Sequence, residues 1–241
     1  MNRKEKIKIF ESVEKAVHKT IESFLEAPLS FYLERDLDCN LYYEIAKQRP
    51  SLIEDIVRED VLLHAQADKL KMKDSKKRIK KHKQSKGYFD FAIYENSSEK
   101  QKPFLGIEIK RDECLNSKKV RDDILNLFKK NNDLNYGFML NYACYSEPED
   151  FEKAKENFIN KIKEEIEKID SKTKIFYFFI FVEYDSEREK VKVPKNRGVV
   201  LFKIKKNKKN ICVLPKTKFI KKNISLASLK IDLNKIIDLK E

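Results

Sequence analysis

Apolar side chains at the start of the chain recur every three or four positions. Phe10, Val13, Val17, Ile21 and Phe24 form such a series within residues 3–26, which predicts an amphipathic helix that Pro28 ends. A second helix is expected from about residue 30 to 48, with Leu33, Leu37, Leu41 and Ile45 along one side. At about 100° per residue, Glu34 and Glu44 flank that apolar stripe, while Asp36 points away from it.

The period then shortens. Residues 56–66, 87–95 and 104–111 are rich in β-branched and aromatic residues and predict three strands, the last two joined by the polar turn 96–103. Val120, Ile124, Leu127 and Phe128 predict a helix over 117–131, followed by a strand over 135–143. A charged helix is expected over 147–169, with Phe151, Phe158, Ile162, Ile166 and Ile169 inward. The run KIFYFFIFVEY, 174–184, is too continuously apolar for a half-exposed strand and predicts one covered on both faces. Two more strands follow near 198–205 and 210–214, and 225–241 reads as a short helix or packed terminus. The order α-α-β-β-β-α-β-α-β-β-β implies one α/β domain over 1–241 built around a single sheet.

Composition narrows the partners. The 241 residues include 53 Lys or Arg against 40 Asp or Glu, a net charge of +13, which favours a polyanionic partner. Residues 69–86 concentrate ten of these cations. Lys76, Lys77, Arg78, Lys80, Lys81 and Lys83 within that run are the candidate phosphate contacts. The four cysteines and three histidines are too scattered for a zinc site of the usual spacing or a disulfide framework. No apolar run reaches the roughly 18 residues that span a bilayer, and the charged N-terminus does not resemble a signal peptide. A cytoplasmic, non-membrane protein is expected. Only four glycines are present, and no glycine-rich phosphate loop is found.

Chemistry concentrates between residues 90 and 110. Asp90 interrupts the apolar run GYFDFAIYE, and in FLGIEIKR the alternation sends Ile107 and Ile109 to one face, Glu108 and Lys110 to the other. If the two strands pair, Asp90 lies beside Glu108. Chance would give roughly four Glu-x-Lys triplets for 24 glutamates and 44 lysines; the sequence holds one. Mg²⁺ prefers carboxylate, water and phosphate oxygens, and a neighbouring lysine can stabilise charge on a phosphorane. Asp122 and Asp123, further on, read as solvent-facing or capping residues ahead of a role for one of them in supporting the site. Tyr42, Tyr43, Tyr88 and Tyr94 read as packing residues.

GYFDFAIYE followed by FLGIEIKR resembles the Asp-x(n)-Glu-x-Lys signature of the PD-(D/E)XK nucleases, the restriction-endonuclease-like superfamily. The helix–three strands–helix–strand order of that core matches residues 30–145, with the helix 3–26 before it and 146–241 as a C-terminal elaboration. Phe89 stands where the family often has proline. The resemblance implies Mg²⁺-dependent hydrolysis of nucleic acid, DNA favoured, with Mn²⁺ as substitute. It implies Asp90, Glu108 and the Ile109 backbone carbonyl as metal ligands and Lys110 as the catalytic lysine. Glu34 would be the helix carboxylate, with Glu44 in reserve. A homodimer suits cleavage of two strands. The alternative is a catalytically silent nucleic-acid-binding member, or a subunit of a larger DNA-processing complex.

Overall fold

The computed structural model describes residues 3–52, 61–65, 89–96, 101–128, 134–145, 151–169, 171–184, 194–206 and 211–219. Its helices are α1 (Arg3–Glu26), α2 (Glu34–Gln48), α3 (Lys118–Phe128) and α4 (Phe151–Glu167). Its strands are β1 (Val61–Ala65), β2 (Phe91–Asn96), β3 (Gln101–Arg111), β4 (Tyr136–Tyr145), β5 (Lys174–Tyr184), β6 (Pro194–Lys206) and β7 (Ile211–Phe219). The protein is α/β, and the seven strands lie in one mixed sheet in sequence order. Strands β3, β4 and β5 are parallel, and the remaining neighbours are antiparallel.

Two apolar cores sandwich this sheet. Crossovers through α3 and α4 share one hand, and both helices pack on the face that carries Met139, Tyr177, Phe179 and Phe202. Helices α1 and α2 cover the other face, against Phe138, Leu140, Phe178 and Leu201. Strand β5 feeds both cores alternately, which accounts for its unbroken apolar run. On α1, Ile9, Phe10, Val13, Val17, Ile21 and Phe24 are fully buried, each stabilising by about 1.5–3 kcal/mol relative to exposure. Phe10 meets Tyr136 edge-on at 4.9 Å between centroids.

Several local expectations are corrected. Helix α2 begins at Glu34 because Pro28–Ser30 first form a 3₁₀ turn. Leu33 is left at the cap, 62% exposed rather than on the buried stripe, its N–H donating to the Asp36 carboxylate at 2.8 Å. Asp90 sits in a bend just before β2. Strands β2 and β3 absorb Asn96 and residues 101–103 of the anticipated turn. Tyr42 and Tyr43 are exposed rather than packed. Strand β7 continues through Pro215, which an edge position tolerates.

Residues 69–86, with the candidate contacts Lys76, Lys77, Arg78, Lys80, Lys81 and Lys83, lie outside the described residues, as do 56–60, Tyr88 and 225–241. Among the described residues no helix is long and apolar enough to cross a membrane.

One pairing sets the height of α3 above the sheet. Gly106 of β3 and Gly137 of β4 are direct partners. A Cβ on Gly106 would come within 3.2 Å of the Leu127 side chain, and one on Gly137 within 3.3 Å. Leu127 therefore rests in the space that two absent methyl groups leave.

Candidate active site

The β2–β3 register pairs Phe91 with Ile107, which sets Asp90 level with Glu108. Both are buried, 8% and 4% exposed. The Ile109 N–H donates to Asp90 Oδ2 at 2.7 Å, and the Glu108 carboxyl shares a hydrogen bond with Asp90. Ile107 and Ile109 enter the core under α1 and α2. Glu108, paired with Met139 of the opposite core, faces the other way together with Lys110.

Lys110 is the hub. Its Nζ donates to the Ile109 carbonyl at 3.0 Å and lies 3.4 Å from Asp123 Oδ2 and 3.7 Å from Glu34 Oε1. Asp90, Glu108, Lys110 and Glu34 are thus brought together at the C-terminal end of β3. Ile109 offers its carbonyl there, to Lys110. Glu44 is not part of the group; it is buried elsewhere on α2, where its charge acts on Lys19 of α1.

Two further carboxylates belong to the cluster. Asp123 of α3 is partly buried and paired with Lys110, not solvent-facing as expected; Asp122 is exposed. Asp38 lies one helical turn after Glu34, and its charge is felt with that of Asp90 and Glu34. The Glu34-to-Asp38 spacing of four was the available signal for it. Among the described residues, Asp38 Oδ1 and the fully buried Tyr142 hydroxyl have no hydrogen-bond partner.

Five carboxylates therefore surround one ammonium, and their protonation reflects the imbalance. Burial, reinforced by the charges of Asp90 and Asp123, pushes Glu108 up to about 10. Burial and then Asp90 and Glu34 push Asp38 up to about 7. Glu34 and Asp123 are raised by burial despite the opposing charge of Lys110. Burial pulls Lys110 down, but Asp123, Asp90, Glu34 and Glu108 outweigh it and its pKa is raised. Clustered groups shifted this strongly mark functional sites in general.

The turn after β3 fixes the position of α3. Asp112 turns the chain with φ 58°, its N–H donating to the Tyr142 carbonyl at 2.7 Å. Buried Asn141 donates to the Glu113 carbonyl at 3.0 Å and the Tyr177 hydroxyl at 3.3 Å. The Tyr177 hydroxyl donates to the Leu115 carbonyl at 3.3 Å. Arg121 grips Asn116 through its carbonyl at 2.5 Å and Oδ1 at 2.9 Å.

Among the described residues, no three acidic, histidine or cysteine side chains are arranged to cage a metal ion. Zinc or calcium would want such a cage. Mg²⁺ is commonly held by one or two carboxylates, completed by water and substrate phosphate, and Asp90, Glu108 and the Ile109 carbonyl fit that donor set. The surplus of buried acid over base fits a divalent cation on charge grounds too. No family model matches this chain and no curated protein matches it, so the meaning of the site rests on its own chemistry.

Proposed function

We propose that the chain is a metal-dependent nuclease that hydrolyses DNA phosphodiesters. The observation that carries this reading is the meeting of Asp90 and Glu108 at the end of β3, beside Lys110 and in a surplus of buried acid over base. The succession α2, β1–β3, α3, β4 also follows the order of a restriction-endonuclease-like core.

Asp90, Glu108 and the Ile109 carbonyl would hold Mg²⁺, with Mn²⁺ as substitute. Bound there, the ion would polarise the scissile phosphoryl group and make nearby water more acidic. Lys110, at the same end of β3, would orient the attacking water and stabilise charge on the phosphorane. Glu34 and Asp123 hold the ammonium in place. A homodimer and a cytoplasmic setting suit this reading.

One observation favours the second reading, a catalytically silent nucleic-acid-binding subunit: Lys110 occupies the carbonyl that a metal would use. Plasmid nicking with Mg²⁺ or Mn²⁺ separates the two. Wild type should cleave while Glu108→Ala and Lys110→Ala do not, and equal cleavage by all three refutes this site. No calorimetric uptake of either metal favours the silent subunit.

A further inference from the structure

The positive charge of the chain is segregated. Residues 190–231 contain 14 Lys or Arg and no Asp or Glu, more than the net +13 of the whole sequence. Helix α4 is mixed, with four lysines among five glutamates. A lysine-rich composition alone would mix cations with acids throughout.

The sheet places four of these cations on one face of one edge. Val199 and Leu201 of β6 enter the core under α1 and α2, so Lys203 and Lys205 continue on that face. The β6–β7 register pairs Leu201 with Lys216, Val199 with Lys218 and Lys203 with Leu214, and directly paired residues share a face. Lys203, Lys205, Lys216 and Lys218 thus form one patch. Leu214 within it is 55% exposed, so neither α1 nor α2 covers this corner.

Lys216 and Lys218 are level with the end of β3 that carries the candidate active site, on the opposite face of the sheet from Glu108 and Lys110. Strand by strand, Ile109 aligns with Leu140, Phe178, Leu201 and Lys216, and Arg111 with Tyr142, Ile180, Val199 and Lys218. Four strand spacings of about 4.8 Å place Lys216 and Lys218 of β7 roughly 19 Å from β3. Two antiparallel steps after β5 make β7 run parallel to β3, so both sites lie toward the same end of the sheet.

We infer that this β6–β7 face is a second backbone contact for duplex DNA that crosses the end of the sheet past Lys110. The inference rests on the reading of the chain as one that acts on DNA. Duplex DNA presents a charge about every 1.7 Å along its axis, and a sheet edge with several lysines matches such a line of charge. A membrane surface would call for an extended apolar face beside the cations, and the patch offers one leucine.

The test is anisotropy titration of the full chain in EDTA, where binding is independent of metal chemistry, with duplexes of about 30 and about 6 base pairs. Wild type is compared with the double variant Lys216→Gln, Lys218→Gln, thermal melting serving as the fold control. On the long duplex the log–log salt slope should fall by about 2 in the variant, with little change on the short one. In Mg²⁺, KM for the long duplex should rise with kcat unchanged. An unaltered slope on the long duplex overturns the inference. So does a variant defect confined to phosphatidylserine vesicles, which assigns the patch to membranes. A loss of slope in a protein that never cleaves upholds this surface and refutes only the catalytic reading, whereas wild type that binds neither duplex refutes both.

Discussion

Replacing Glu108 with glutamine should make the metal-free protein more stable. Glu108 is 4% exposed and its pKa is pushed from 4.5 to about 10. Below about 4.5 both folded and unfolded chains hold this proton, and nothing is lost. As pH rises the unfolded chain releases it while the folded protein keeps it, so stability falls with pH until about 10. From 4.5 to 7 this amounts to two and a half pH units at about 1.4 kcal/mol each, or roughly 3 kcal/mol. Glutamine carries no such slope but gives up part of the hydrogen bond to Asp90, worth about 1 kcal/mol. The net gain of about 2 kcal/mol should raise Tm at pH 7 by about 4–8 °C for a chain of this size. At pH 4.5 the gain should give way to a loss of about 1 kcal/mol, the weakened hydrogen bond alone. Differential scanning calorimetry in EDTA from pH 4.5 to 8 measures it. Parallel Tm profiles for the two proteins would refute the buried, charge-crowded environment assigned to Glu108.

The same proton links metal uptake to pH. Occupation of the site should expel it, so Mg²⁺ affinity should rise by up to about tenfold per pH unit between pH 6 and 8; calorimetry in two buffers of different ionisation enthalpy should register about one proton released. Asn141→Leu strips a buried donor from the Glu113 carbonyl. It should cost about 1–3 kcal/mol in denaturant unfolding and lower kcat for nicking, while Mg²⁺ affinity holds, because the turn that places Asp123 is loosened.

Much of the layout was legible because local pattern and tertiary role agreed. The loss of period in 174–184 announced a strand covered twice, and Asp90 and Glu108 stood out as acids in apolar strands. Legibility ended where a role depends on long-range placement. Asp123 precedes Ile124 on α3, at the margin of the apolar stripe, and only the packing of α3 onto β3 and β4 brings it to Lys110. Lys206 looks like any surface lysine, yet its ammonium gathers the Ile166, Glu167 and Ile169 carbonyls at the end of α4, close to forty residues away. Leu33 fits the helical spacing, but Pro28 and the Asp36 cap delay the helix until Glu34.

The seat under Leu127 constrains how this protein can be engineered or drift. Glycine-to-alanine exchange is a routine stabiliser because it restricts the unfolded chain, typically by about 0.4–1 kcal/mol. At Gly106 and Gly137 the added carbon would press on Leu127, one turn from Asp123, and tilt the helix that steadies the site lysine. Consensus design that ignores this coupling would trade the acid–ammonium spacing for thermal tolerance while the fold still passed every spectroscopic check.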